Sequence, residues 1–260
     1  MSRRAEFAYA QARLQARHGM RPSESTWRLL DASKDLAHFL QVARNSPLRP
    51  WVEHLPRHAD AHLIERSLRG DWRAYVRTVA VWCPGVWRPA VAWAALLVDL
   101  PAIAHCLSHA RLPAWMRGDP ALLPFAATER SARIEALQQS EWAPVVRRWL
   151  ADASVLGAWM EHWETLWAGD GRTRTALGRL ASAVREHMRQ TAQADPTRAA
   201  GDGARRELEA RATRLFRRHT QQPPAVFAHL ALIALDLERM RDGLMRRSLF
   251  GEGEGGATWA

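Results

Sequence analysis

Lysine and cysteine are both scarce in this chain of 260 residues. Lys34 is the only lysine, so 36 of the 37 cationic residues are arginines. The two cysteines, Cys83 and Cys106, form no CxxC spacing, which argues against a disulfide framework and fits a reducing cytoplasm. β-Branched residues are few beside Ala, Leu and Arg, and no useful length of chain alternates like a strand. The composition therefore predicts an all-α protein.

Sequence motifs of catalysis are also missing. There is no GxxxxGK[ST] phosphate loop and no GxSxG nucleophile turn. The segment Glu161–Glu164 lacks the second histidine of a zinc protease helix, and neither cysteine has the surroundings of an activated thiol. We therefore predict a non-catalytic protein with no bound cofactor, in which Cys83 and Cys106 are buried structural thiols.

One histidine run leaves a metal site open as an alternative. His54, His58 and His62 recur every four residues and could share one face of a helix. Pro56 interrupts the run, and exposed histidines are common on an arginine-rich surface. We therefore predict that these histidines bind no metal.

Long apolar runs are missing as well. The longest apolar window, Pro89–Val98, is closed by Arg88 and Asp99 and is far shorter than the ~20 residues of a membrane helix. The N-terminus has no apolar core of a secretion signal. We therefore expect a cytoplasmic protein that does not itself span a membrane.

Positive charge is the feature that the chain has in excess. The formal net charge is +10 and the pI is about 11.1. The arginines are dispersed among Asp and Glu, and a GC-rich genome would by itself favour arginine codons. The basic surface could face an acidic protein, anionic lipid headgroups or nucleic acid.

Apolar spacing predicts where the helices lie. Phe227, Leu230, Ala234, Leu237, Met240 and Leu244 are three or four residues apart and fall on one helix face after Pro223-Pro224. Ala143–Trp167 is predicted to be the longest amphipathic helix. In the first helix, Tyr9, Ala12 and Ala16 are predicted to pack, and Ser23 and Ser33 are predicted N-caps of the next two helices.

Eight of the 13 tryptophans fall into two predicted groups. Those that keep register with aliphatic neighbours are expected in the core, namely Trp72, Trp93, Trp149 and Trp163. Those that do not are candidate interface anchors, namely Trp51, Trp87, Trp142 and Trp159.

Weak internal repeats suggest helical modules. Phe39–Val52 resembles Ala136–Leu150 at an offset of 97 or 98 residues, and Val91–Leu107 echoes Ala225–Leu244. From breaks in the chain we expect an N-terminal helical part (1–118), a middle module (119–192), a flexible linker (193–204), C-terminal helices (205–250) and a disordered tail (251–260).

Three segments resemble the C-subunit family of V-type ATP synthases, whose eukaryotic relative is the d-type subunit of the membrane sector. Tyr9–Arg17 is similar to the family's first helix, which has a tyrosine, a small residue and spaced arginines. Leu36–Trp51 resembles the next helix, with a turn before an aromatic residue. Pro224–Arg241 resembles the final module, with a proline, an apolar helix, an acidic residue and a basic end. Met240 stands where that family has an asparagine.

The resemblance implies a funnel-like bundle of repeated helical modules without its own chemistry. It implies a coupling subunit that links the membrane rotor ring of a rotary ATPase to its central stalk in ion transport, peripherally associated with the membrane. On this reading Arg13, Arg17, Arg239 and Arg241 are expected at the partner interface. The alternative from the residues alone is a stand-alone basic helical adaptor or nucleic-acid-binding protein.

Overall fold

The computed structural model describes residues 6–151, 154–193 and 200–250. All regular structure in these ranges is helical, with no strand among them, which confirms the all-α prediction. The predicted tail, 251–260, and the centre of the predicted linker, 194–199, lie outside the described residues. The ends of that linker are helical rather than irregular, since residue 193 ends one helix and residues 200–204 begin the next.

The helices follow one another with short connections. In chain order the α-helices are α1 (Ala8–Gly19), α2 (Glu24–Asp31), α3 (Leu36–Arg44), α4 (Arg49–Val52), α5 (Ala61–Trp82), α6 (Arg88–Trp93), α7 (Leu100–Ser108), α8 (Ala114–Arg117), α9 (Arg130–Gln138), α10 (Ala143–Leu150), α11 (Val155–Thr165), α12 (Gly171–Gln193), α13 (Ala200–Arg218) and α14 (Pro223–Phe250). Short 3₁₀ helices occupy Gly85–Trp87, Ala94–Asp99 and Leu123–Phe125.

The chain divides into two compact units. One is discontinuous and combines Met1–Trp72 with Gly169–Ala260, and the other is continuous and comprises Arg73–Ala168. The boundaries expected after residues 118 and 192 do not coincide with this division. The reason is that α14 returns to pack on α1 and α3, far back in the sequence.

Helix α14 is the central element of the discontinuous unit. The predicted stripe is buried except for Ala234, which is partly exposed. Leu232 and Leu235, on the opposite side of the same helix, are buried as well. Helices α1, α3, α12 and α13 all pack on α14. It is therefore a core helix covered from several sides rather than a surface helix with one apolar face.

At Gly243 the side chain of a residue in another helix comes close to the α14 backbone. A Cβ added there would lie 2.7 Å from the ring of Phe39 in α3. The Arg247 guanidinium, one turn further on, stacks over the same ring at 4.7 Å from its centroid. Glycine at position 243 thus lets the Phe39 ring pass directly against the α14 backbone.

The apolar stretch of the continuous unit is not one continuous α-helix. It runs as α6, a 3₁₀ segment and α7, with Pro101 in the first turn of α7. The run Gly85–Ser108 is long and apolar enough to cross a membrane, by length and composition alone. Within it, 61% of the most apolar window is buried inside the protein. The predicted echo between Val91–Leu107 and α14 fails, because only α14 is one uninterrupted helix.

The predicted longest helix is wrong as well. Ala143–Trp167 is broken into α10 and α11, because the Ser154 side chain accepts a hydrogen bond from the Gly157 amide and starts a new helix. The longest helix is α14, with 28 residues. Helix α5 continues without a break through Gly70-Asp71, two residue types that are common in turns.

The predicted cap at Ser23 is confirmed, since its side chain accepts from the Thr26 amide. Ser33 is not a cap. Its hydroxyl donates to the Leu29 carbonyl of the preceding helix, and Asp35 caps α3 by accepting from the His38 amide.

A structural repeat relates the two units, at an offset of 94 residues rather than the 97 or 98 predicted. Helices α3 and α9 correspond, as do α4 and α10. The turns between them have the same hydrogen bonds. Ser46 donates to Ala43 O (2.7 Å) and accepts from Leu48 N (3.1 Å). Ser140 donates to Leu137 O (2.8 Å) and accepts from Trp142 N (3.1 Å).

The same offset continues into the following helix. Asp60 accepts from the Leu63 amide at the start of α5 (2.7 Å), and Ser154 accepts from the Gly157 amide at the start of α11 (2.9 Å). Buried positions correspond too, in the pairs Ala43 and Leu137, Leu48 and Trp142, Val52 and Val146, and Ile64 and Ala158. Each unit therefore contains one copy of a module of three helices joined by matching turns.

Candidate functional site

The first helix offers an exposed face that carries two of the four predicted interface arginines. Tyr9 is 56% exposed and Met20 is 60% exposed. Arg13 and Arg17 are exposed between them, with the Arg13 guanidinium 5.1 Å from the Tyr9 ring centroid. The predicted packing positions Tyr9, Ala12 and Ala16 are therefore wrong. The face that packs carries other side chains, namely Ala10, Gln11 and Leu14.

Helix α1 is fixed to the core through its buried side. Gln11, which is 5% exposed, accepts a hydrogen bond from the Gln221 amide at 3.0 Å. Gln221 lies in the turn between α13 and α14 and has a left-handed φ of 59°. His18 packs on Phe216 of α13, with ring centroids 4.5 Å apart. These contacts hold the exposed face of α1 in one orientation relative to α13 and α14.

A buried ion pair lies just after the C-terminal end of α1. Arg21 donates to both oxygens of Asp236, at 2.7 and 2.8 Å, and to Glu209 at 2.9 Å. Asp236 is only 7% exposed, and its burial raises the pKa of the carboxyl while the Arg21 guanidinium opposes that rise. The pair thus joins the loop after α1 to α13 and α14.

Two histidines beside this pair have lowered pKa values. Burial lowers the pKa of His229 to about 3, with further lowering from the charges of Arg21 and Arg17. Burial and the charges of Arg21 and Arg217 likewise lower the pKa of His18. Both shifts follow from desolvation and a positive local potential.

The other two predicted interface arginines make contacts inside the discontinuous unit. Arg239 binds Asp31 (2.8 Å) and Glu24 (3.3 Å), and its guanidinium stacks 4.7 Å from the Trp27 ring centroid. Arg241 forms an ion pair with Glu65. Arg239 thus ties α14 to α2, and Arg241 ties it to α5.

Arg247 has a structural role that the sequence did not reveal. The pair Arg246-Arg247 has the sequence pattern of a solvated helix surface. Instead the Arg247 guanidinium donates to the carbonyls of Leu30 (3.0 Å), Asp31 (3.1 Å) and Ser33 (2.7 Å) at the end of α2. It therefore satisfies carbonyls that the end of a helix leaves without partners.

The histidine run does not form one helix face. His54 and His58 precede α5, and only His62 lies within it. His54 pairs with Asp71 at 3.3 Å. Throughout the described parts of the chain, no three His, Cys, Asp or Glu side chains come close enough to hold a metal ion.

The two cysteines are free and buried, as predicted. Burial raises the pKa of Cys83 to about 12 and that of Cys106 to about 11. Both therefore stay as thiols near neutral pH, and a thiol is a poor nucleophile.

The tryptophan prediction was right for three of the four core residues and wrong for three of the four anchors. Trp72, Trp93 and Trp163 are buried, while Trp149 is only partly so. Three of the four predicted anchors are core residues, namely Trp87, Trp142 and Trp159. They escaped the spacing argument because they lie at helix junctions or in the aromatic cluster of α6 and α11, where periodicity is a weak guide.

Comparison with known proteins assigns the chain to no family. No protein-family model, curated protein or solved structure matches the chain at a significant level. The likeness to the C-subunit family of V-type ATP synthases is therefore a resemblance of residue patterns, and the function that it implies is a proposal.

Proposed function

We propose that this protein is a non-catalytic coupling subunit of a rotary V-type ATPase, placed between the membrane rotor ring and the central stalk. The observation that carries the proposal is the repeated module at an offset of 94 residues. Repeated helical modules are what the resemblance to the C-subunit family implies. The all-helical architecture supports the same reading.

The exposed face of α1 is the proposed surface for the stalk. Tyr9 and Met20 provide apolar contact area, and Arg13 and Arg17 provide positive charge between them. Tyrosine and arginine are enriched among the residues that dominate interface energies. The partner that fits is a helix of the stalk with acidic side chains.

Transmission of torque requires that this face does not yield under load. A force on α1 passes through the Arg21–Asp236 pair to α14 and through the His18–Phe216 contact to α13. Because α14 is packed from several sides, it distributes that force through the discontinuous unit. The function is then mechanical, and no proton or group transfer is involved.

Co-purification from the cells that make the protein tests this proposal. Tagged full-length protein should recover central-stalk and rotor-ring subunits of a rotary ATPase. R13E/R17E should lower their recovery at least tenfold, since charge reversal at an interface opposes an acidic partner. The matched control is R28E/R57E, which reverses two exposed arginines of the same unit away from α1 and should leave recovery unchanged.

Two results would overturn the proposal. Wild-type protein that recovers no rotary ATPase subunit excludes the coupling function. Equal recovery with both double variants keeps the function and excludes the α1 face as the interface.

The second candidate function is a stand-alone basic adaptor or nucleic-acid-binding protein. The concentration of positive charge in one unit favours it, because the discontinuous unit has 28 cationic and 19 acidic residues. A salt titration with duplex and single-stranded oligonucleotides tests it. Binding through phosphates should weaken steeply as salt rises, and no binding at low ionic strength excludes the nucleic-acid version.

A further inference from the structure

The positive charge of the discontinuous unit is concentrated on two helices. Helices α12 and α13 together contain 11 arginines and four acidic residues. They pack against each other and against α14. By contrast, the whole continuous unit has nine arginines and eight acidic residues. The excess therefore belongs to one pair of neighbouring helices.

Three of the acidic residues on these helices already bind cations or donors of the protein. Glu186 accepts from Arg189 and Gln190, Glu207 accepts from Arg211, and Glu209 binds Arg21. They leave little negative charge to offset the remaining arginines. The net field at this surface is therefore positive.

Four exposed arginines form two adjoining rows. On α12, Arg172 and Arg179 are seven residues apart and lie on the side that also carries Glu186. On α13, Arg214 and Arg218 follow Arg211 by three and seven residues and share its side. Helices α12 and α13 pack against each other, so the two rows are neighbours. Hydrogen bonds from Arg189 and Gln190 lower the pKa of Glu186 to about 2, and the charge of Arg211 on α13 adds to that lowering. We call Arg172, Arg179, Arg214 and Arg218 the basic face; all four are exposed.

We propose that the basic face binds the anionic phospholipid headgroups of a membrane surface. Guanidinium groups pair well with phosphate oxygens, and two helices that lie side by side offer these groups over a broad area. The proposal rests on this charge distribution alone and is independent of the rotary function.

Nucleic acid fits the basic face less well. Single strands are held by stacking of bases on exposed aromatic rings. The only aromatic residue of the two helices, Phe216, is buried. The major groove of duplex DNA admits a single α-helix, and each helix is ~10 Å across. A packed pair with its arginines on the shared outer side is too wide to enter.

Vesicle sedimentation with the full-length chain tests the proposal. We expect binding to vesicles of phosphatidylcholine with about 30% phosphatidylserine, and much weaker binding to pure phosphatidylcholine. Each surface arginine contributes roughly fivefold to the partition coefficient. R172Q/R179Q/R214Q/R218Q should therefore lower that coefficient more than 100-fold.

The matched control is R77Q/R111Q/R117Q/R147Q, which removes four exposed arginines from the continuous unit. It lowers the net charge by as much as the first variant does, and it should lower the partition coefficient less than tenfold. Circular dichroism melts of both variants verify that each is folded. Equal losses in the two variants would show that net charge alone matters and overturn the proposal.

Two further outcomes would overturn the proposal that the basic face binds a membrane. Equal binding to charged and neutral vesicles excludes headgroup recognition. Tighter binding to a 30-base-pair duplex or a single strand of that length than to charged vesicles, at equal total phosphate and about 0.1 M salt, assigns the face to nucleic acid instead.

Discussion

The two units of this chain are stabilised by different chemistry. The discontinuous unit has a net charge of +9, whereas the continuous unit has +1 and contains nine of the 13 tryptophans. In the first, ion pairs and arginine caps join segments more than 200 residues apart, such as Arg21 with Asp236 and Arg247 with Leu30. In the second, paired indoles join α6 to α11, since Trp93 donates to Trp159 O and Trp163 donates to Ala90 O.

The difference shows that two cores within one chain can be stabilised by different kinds of contact. A chain segment that returns from far away needs specific partners to fix its register, and charged hydrogen bonds provide that geometry. A continuous segment needs chiefly apolar area, which indoles supply. The shared three-helix module shows that the difference lies in what surrounds the module rather than in the module itself.

The greatest loss of stability is expected at Arg133, one of several arginines of the continuous unit that depart from this contrast. This arginine of the continuous unit is 0% exposed and donates to the carbonyls of Cys106, His109, Ala127 and Thr128. Arg133→Met should lower the free energy of unfolding by about 4 kcal/mol, because buried carbonyls lose a charged donor. Chemical denaturation measures this change. The exposed Arg111→Gln should stay within about 0.5 kcal/mol, and a similarly small loss for Arg133→Met would contradict its structural role.

The next effect tests the ion pair of the discontinuous unit. Arg21→Met leaves the buried Asp236 carboxylate without its main partner and should lower the free energy of unfolding by about 3 kcal/mol. R21M/D236L removes both charges and should be more stable than Arg21→Met alone. Hydrogen exchange should show the loss in α1, α13 and α14. A double variant less stable than the single one would mean that the pair is not the source of the loss.

An effect of intermediate size is a pH dependence of stability, which we expect to arise in the discontinuous unit. The unfolded chain binds a proton at His229 below its ordinary pKa of 6.5, whereas the folded chain does so only near 3. Acidification therefore favours the unfolded state, and stability should fall by about 2 kcal/mol from pH 7 to pH 5 through this group. His229→Gln should remove that part of the slope, and the exposed His38→Gln should not. Unchanged slopes in both variants would refute the assignment.

The smallest effect tests the equivalence of the two modules. Ser46→Ala and Ser140→Ala each remove a hydroxyl that joins a helix end to the next turn. Each should lower the free energy of unfolding by about 1 kcal/mol, with a difference between them below about 0.5 kcal/mol. Thermal or denaturant unfolding measures both. A large loss of stability in only one of the two variants would show that the matching turns do not contribute equally to stability.

Much of the local structure was predictable from the sequence. Scarce β-branched residues predicted helices, Pro223-Pro224 marked the start of α14, Ser23 was a readable cap, and the buried cysteines followed from their apolar surroundings. The interface arginines were predicted by resemblance. Arg13 and Arg17 lie on the exposed face of α1, whereas Arg239 and Arg241 form ion pairs within the discontinuous unit. Arg239 and Arg241 could not be separated from Arg13 and Arg17 in advance, because an arginine on a helix looks the same in sequence whether it meets a partner or its own chain.

The helical class, the apolar stripe of α14 and the excess of positive charge could be derived from the sequence, since they depend on composition and on neighbours within a few turns. The tertiary structure was needed to show that α14 is a central helix, that α1 exposes Tyr9 and buries Gln11, and that the arginine-rich helices α12 and α13 pack side by side. It also decided the 94-residue register of the repeat, through turn hydrogen bonds and buried positions that different side chains occupy in the two copies. The position of α14 and the orientation of α1 arise from contacts between residues up to 217 positions apart, and local periodicity carries no information about such pairs.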